Sequence, residues 1–392
     1  MPASPVAEVA LSGARVFDGE RIHDDVRVVL RGGTIAEVGA EVISRDGECV
    51  QLDGGYLVPG FIDLQVNGGG GVLFNDQPTV DGIAAIATAH RRFGTTGLLP
   101  TLISDDWAVM QRAAEAVRQG LAQNLPGLRG IHFEGPYLNP ARRGVHRQTA
   151  IRALDRDALE LFSAPDLGAV VVTLAPEMVG TADISSLSRA GVRVCAGHTA
   201  ADYESMRAAL AAGLAGFTHL FNGMAPLAGR SPGAVAAALL DETSCCGIIV
   251  DGHHVHPANL RLALKCKEPG GLFLVTDAMP CIGATAPGFQ LDGNWIAVDN
   301  GRCTTADGTL AGSALDMAAA VRNAVDLLAL PLSEALRMAS LYPAAFLGQD
   351  DRRGRIAPGY VADLVLLDER LHVRATWIDG VRMDHAGDGG DD

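Results

Sequence analysis

Glu134, His198, His219 and Asp277 can each bind a metal or move a proton, and each stands at the carboxy-terminal end of its own short apolar run. Two imidazoles and one carboxylate form a familiar protein set for a catalytic zinc that keeps one position open. A divalent cation held this way lowers the pKa of water toward neutrality and polarises a carbonyl oxygen. Asp277 can then take a proton from water and return it to a leaving nitrogen, which outlines an amide hydrolase. Any one of these residues alone reads as a satisfied core group or a loop residue. Four together, each closing a separate run, read as a site.

The runs that must position them are FIDLQV (61–66), TGLLPTLI (96–103), LRGIHFE (128–134), AVVVTLA (169–175), VRVCAGH (192–198), GFTHL (216–220), CGIIV (246–250) and LFLVT (272–276). Each is short and rich in Val, Ile, Leu or Phe, as a parallel strand buried on both faces must be. Between them lie Ala-rich stretches with helical spacing, such as 80–93, 106–122 and 202–213. Strand followed by helix, eight times, predicts a (β/α)8 TIM barrel of the α/β class. Side chains alternate along a strand, so Asp63, Gln65 and Asn67 share one face, as do His132 and Glu134. In such barrels the strand ends converge at the carboxy-terminal rim, where separated residues meet.

The ends of the chain read differently. Segments 8–19, 25–39 and 48–60, and again 362–368 and 373–383, have the Gly and Asp punctuation of hairpins. They predict a small β-sandwich domain from residues 1–60 and 355–385, beside a catalytic barrel over 61–354. A strand pair is expected within 289–312, lying over the barrel mouth as a partial lid. Residues 386–392 are acidic and Gly-rich, the composition of a disordered tail.

LVPGFIDLQVNGGGG (57–71), GIHFEGPYLNP (130–140), AGHTA (196–200), THLFNGMAPLAGRSPG (218–233), DGHHV (251–255) and LVTDAM (274–279) together resemble the N-acetylglucosamine-6-phosphate deacetylases of the amidohydrolase superfamily. The resemblance runs in order along nearly the whole chain. Most superfamily members carry His-X-His at the end of the first strand, where this chain has Gln65-Val66-Asn67. Amides are far weaker zinc ligands than imidazoles. The resemblance therefore implies one divalent metal ion per subunit, expected to be zinc, on Glu134, His198 and His219. Gln65 and Asn67 are left to hydrogen-bond the ligands or to touch a second metal weakly.

The same resemblance implies a phosphosugar pocket. Arg230 would reach the sugar phosphate from a neighbouring subunit, which implies a homodimer, and His254 would contact the same ligand. Arg presents a planar fork of donors suited to phosphate. Val145, His146, Asn222, Gly223, Asp251, Gly252, His253 and the backbone of Leu310, Ala311 and Gly312 complete the implied cradle. His146 would lie near the acetamide and stabilise its oxyanion. Arg142, Arg143, His253 and His256 read equally well as solvated loop residues. The implied reaction converts N-acetylglucosamine 6-phosphate to glucosamine 6-phosphate and acetate. The galactosamine epimer or another amide is the alternative, and a non-catalytic scaffold the remoter one.

With 46 acidic against 31 basic residues, the chain carries a net charge of −15. That disfavours nucleic acid and anionic membranes as partners, since both need a basic face. No apolar run approaches a membrane span, and the first residues lack a signal-peptide pattern, so a cytoplasmic enzyme is expected. Seven cysteines without a Cys-X-X-Cys spacing suggest neither a disulfide framework nor a thiolate metal site. Cys281, just past Asp277, reads as loop packing or a pocket neighbour.

Overall fold

The computed structural model describes residues 8–42 and 47–385. The expected tail, 386–392, lies outside the described residues.

Eight parallel strands form one sheet in simple sequence order: Phe61–Val66, Thr95–Ile103, Gly130–Glu134, Ala169–Leu174, Arg193–Ala196, Gly216–Phe217, Cys245–Ile248 and Leu272–Leu274. The last strand returns to the first. Asp277 N–H donates to the Gln65 carbonyl at 2.9 Å, and Val66 bridges Ala278 in parallel. A TIM barrel is the result. All six residues of the first strand and all nine of the second are buried, because helices cover the outer face and side chains fill the interior.

The helices begin where the sequence offers caps. Thr79, Asp155, Asp202 and Asp316 each accept a hydrogen bond from a backbone N–H in the first turn of the helix that follows. The Ala-rich stretches form helices Val80–Arg91, Trp107–Ala122 and Tyr203–Ala211, each turning its small apolar residues inward. Small side chains let helix and sheet approach closely. One continuous apolar core results, with Phe61, Phe133, Phe162 and Phe217 among its fully buried members.

Described segments that precede and follow the barrel in sequence meet beside it. Tyr56–Pro59 pairs antiparallel with Leu364–Leu367 inside a six-stranded sheet, and a four-stranded sheet packs against it. Leu11, Val28, Leu30, Leu57, Leu364 and Trp377 form their shared core. Arg129 of the barrel reaches Asp363 of this β-rich region at 2.9 Å, and Arg353 pairs with the same carboxylate.

Between the eighth strand and the last helices lies an antiparallel insertion, Gly288–Leu291, Asn294–Asp299, Arg302–Thr304 and Leu310–Ser313. The sequence suggests a strand pair here, whereas the structure has four strands. Its own small core of Leu291, Ile296, Cys303 and Ala311 packs on Leu73, Ile103 and Met279 at the barrel mouth, which explains how such short polar strands are held. Cys281 Sγ lies 3.7 Å from Cys303 Sγ within this packing, and all seven cysteines are free.

Candidate metal and substrate site

Strand ends three, five and six bring Glu134, His198 and His219 together. Glu134 Oε1 lies 2.9 Å from His219 Nε2 and 3.3 Å from His198 Nε2, and the two Nε2 atoms are 3.1 Å apart. All three residues are buried. His198 Nδ1 lies 2.8 Å from the Arg142 carbonyl, which can only accept, so its proton sits on Nδ1 and the Nε2 lone pair faces Glu134 and His219. This is the usual way a backbone carbonyl orients a metal-binding imidazole. His219 Nδ1 and Asn67 Oδ1 are buried without a protein partner. Two imidazole nitrogens and a carboxylate oxygen converging in a buried space fit a divalent cation better than they fit one another.

The electrostatics follow from this crowding. Burial opposes charge on Glu134, yet its contacts with the His198 and His219 imidazoles hold its carboxyl well below the usual range. Burial likewise opposes a charged His219, but the bond to Glu134 raises it. Asp277 goes the other way. Burial, reinforced by the Glu134 charge, pushes its carboxyl up to about 6.

Gln65 and Asn67 serve carboxylates. Gln65 Nε2 donates to both Glu134 oxygens at 3.2 Å and to Asp277 Oδ1 at 3.1 Å, and Asn67 Nδ2 donates to the same Oδ1 at 2.6 Å. These amides therefore load Asp277 Oδ1 rather than Oδ2. His198, His219 and Asp277 all adopt left-handed backbone angles, with φ of 48°, 34° and 53°. Non-glycine residues rarely do so, and such strain clusters where side-chain direction matters more than backbone comfort.

His146 lies beside this group. Its ring centroid is 4.5 Å from that of His198. The Ser104 backbone N–H donates to His146 Nδ1 at 3.2 Å, so Nδ1 is an acceptor and the proton sits on Nε2. Burial, then the neighbouring His198, depresses its pKa to about 3. His146 is thus a neutral N–H donor at ordinary pH. Ser104 carries no signal in the sequence, because only the fold brings the second strand's end to this loop.

A cavity of about 530 Å³ opens from these residues, lined also by Val145, Asn222, Gly223, His254, Leu310 and Gly312. Gly223 has φ +62°, and a Cβ there would fall 2.9 Å from His198 Nδ1, so only glycine fits. Asp251 sits behind His254, its Oδ2 2.6 Å from Nδ1, which turns the imidazole's other nitrogen outward from that bond. Ala311 is buried beneath the cavity wall.

Besides Asp251 and Ala311, which lie behind its lining, three expected residues stay outside the cavity. Gly252 does not line it, and His253 is exposed and faces the Asn300 carbonyl at 3.2 Å. Arg230 is exposed on the turn closed by the Ala228–Ser231 bridge and does not line the cavity of its own chain. His256 caps the helix Pro257–Cys266, and Arg143 binds the Gly144 and His146 carbonyls. Conversely, Arg142, Met279, Arg302 and Thr309 line the cavity. The last three belong to segments whose position over the mouth is a tertiary fact that no local pattern encodes.

The model of the amidohydrolase family matches residues 56–383. The chain is 42% identical over 371 residues to an N-acetylgalactosamine-6-phosphate deacetylase from Shewanella sp., covering 94% of each. It is 36% identical over 403 residues to the human N-acetylglucosamine-6-phosphate deacetylase, covering 95% of this chain and 97% of that one. The crystal structure of N-acetylglucosamine-6-phosphate deacetylase from Pasteurella multocida superposes with a TM-score of 0.93 at 34% identity, over 96% of this chain and all of that one. With this extent of agreement in both sequence and backbone, the chain belongs to the amidohydrolase family.

Proposed function

We propose that this protein removes the acetyl group from N-acetylglucosamine 6-phosphate, giving glucosamine 6-phosphate and acetate. The observation that carries the reading is the meeting of a cation-binding trio, a carboxylate of raised pKa and a neutral imidazole donor in one cavity. Glu134, His198 and His219 would hold one divalent ion, zinc being the best match to a two-imidazole, one-carboxylate set. When bound, such an ion acidifies water and polarises a carbonyl oxygen.

The chain's own groups supply the rest. Asp277, ionised above about pH 6, takes a proton from the attacking water. His146 Nε2–H donates to the oxygen of the acetyl carbonyl as negative charge develops on it. Asp277 then returns the proton to the sugar nitrogen, and the C–N bond breaks to release acetate. Gln65 and Asn67 keep Asp277 aimed throughout. His254, fixed by Asp251, and Arg230 of a neighbouring subunit are assigned to the phosphate. The exposure of Arg230 and its absence from the lining of its own chain's cavity support that crossed arrangement in a dimer.

The galactosamine epimer is the second reading, favoured by the 42% identity to the Shewanella enzyme. Acetate release from both 6-phosphates and from unphosphorylated N-acetylglucosamine, with metal content measured in parallel, tests the proposal. Turnover of the glucosamine compound with one equivalent of metal supports it. Turnover of only the epimer shifts the assignment, and release from neither refutes it.

A further inference from the structure

We infer that the groove beside the active-site cavity is a second saccharide subsite, so that the 6-phosphorylated amino sugar can carry a further neutral sugar. The inference rests on the deacetylase reading above and extends it.

The groove has a volume of about 600 Å³ and runs between the loop Arg143–Val145 and the insertion. Gly144, Val145 and Thr309 line both it and the catalytic cavity, so the two spaces share one wall. The two spaces therefore adjoin.

Trp295 defines what the groove accepts. It is 50% exposed, in contrast to Trp377 at 2%. Its strand pairs with Gly288–Leu291, and a Cβ at Gly288 would fall 2.5 Å from the Trp295 ring. Glycine at that position lets the indole lie against the neighbouring strand while half its surface stays open. An open aromatic surface is a platform for the apolar C–H face of a pyranose.

The polar groups around it suit hydroxyls. Asp292, Asn294, Thr304 and Asp307 share the lining. Carboxylate and amide oxygens accept from sugar O–H groups, and the hydroxyl can also donate. The one cation of the lining, Arg143, is held by the Gly144 and His146 carbonyls, and Asp292 and Asp307 disfavour a second phosphate or a uronate, so the occupant is a neutral hexose or N-acetylhexosamine. An oily ligand is excluded by the same acceptors, which it would leave desolvated and unpaired.

The test compares N-acetylglucosamine 6-phosphate with its β-1,4-linked disaccharide, diacetylchitobiose carrying the phosphate on the non-reducing residue, in wild type and Trp295→Ala. The disaccharide is expected to be deacetylated by wild type with kcat/KM at least equal to that of the monosaccharide. Trp295→Ala should lower the disaccharide value by about tenfold or more and leave the monosaccharide value unchanged. A second readout is independent of turnover. The disaccharide should quench tryptophan fluorescence of the metal-loaded wild type and produce no such quench in Trp295→Ala. If neither sugar is hydrolysed but quenching depends on Trp295, the deacetylase reading fails while the subsite stands. If the monosaccharide is hydrolysed but the disaccharide is neither turned over nor bound, or if Trp295→Ala affects both sugars equally, the subsite is refuted.

Discussion

Two polar layers lie one above the other inside the same barrel, and they behave in opposite ways. The lower layer is self-sufficient. His132 Nδ1 meets the Leu64 carbonyl at 3.0 Å, its Nε2 meets Thr173 Oγ1 at 2.7 Å, and Thr173 continues to Thr218 at 2.5 Å. Asp63 accepts from the Thr276 hydroxyl at 2.5 Å and from the Gln65 backbone N–H. The upper layer crowds two imidazole nitrogens onto one carboxylate and leaves His219 Nδ1 and Asn67 Oδ1 unpaired. Both layers are buried and both use the same residue types, so burial and residue type do not separate structure from function. Hydrogen-bond satisfaction distinguishes these two layers, since the upper one leaves buried polar groups without a partner at a cost in free energy that the lower one avoids.

This contrast can be broken from either side. The largest effect is expected at the upper layer. His219→Ala should abolish both metal retention and turnover with little loss of thermal stability, as read by metal analysis and a melting curve. A variant that keeps its metal would remove His219 from the trio. Next, Asp277→Asn should lower kcat by about 10²–10⁴-fold while metal stays bound, the usual range for loss of a general base. Near-normal kcat would end its assignment as proton carrier.

Gln65→Ala touches neither ion nor substrate directly in this scheme. It should lower activity or metal affinity by about 10–100-fold, the typical consequence of losing a partner that orients ligands. For the pH profile the sign is fixed by Asp277. Its raised pKa means that the ionised base is present above about pH 6 and is lost as pH falls through that value. The acid limb of kcat/KM should therefore bend no higher than about pH 6, since a bound cation can only lower the pKa further. A profile that is flat through that range argues for a different base.

The smallest catalytic effect belongs to the lower layer. Thr173→Val strips a hydroxyl from His132 and Thr218 and should cost about 1–3 kcal/mol of stability, read by chemical denaturation, with metal content and kcat nearly unchanged. Loss of metal in that variant would show that the layers are coupled.

Much of this arrangement was legible in the sequence, and the reasons are physical. A strand buried on both faces has to be apolar until it reaches the rim, so Glu134, His198 and His219 stood out against Val and Ile. Period-two alternation also puts Gln65 on one face with Asp63 and Asn67, and His132 on one face with Glu134. It could not say that His132 belongs to the satisfied layer, because Thr173 and Thr218 reach it from two other strands. Ser104 was invisible for the same reason, since its bond to His146 joins residues 42 apart in sequence. The insertion shows only part of itself in the sequence, because its strands are too short and polar to carry a pattern and their stability comes from packing against Ile103 and Met279.

The left-handed backbone at His198, His219 and Asp277 bears on how this enzyme can be engineered. Glycine at any of these positions would relieve the strain and delete the functional group in a single substitution. Selection for heat resistance alone would thus reward mutants that no longer turn over substrate. A laboratory evolution campaign on this scaffold should screen for activity in every round, and should look for its stabilising changes away from these three positions at the rim.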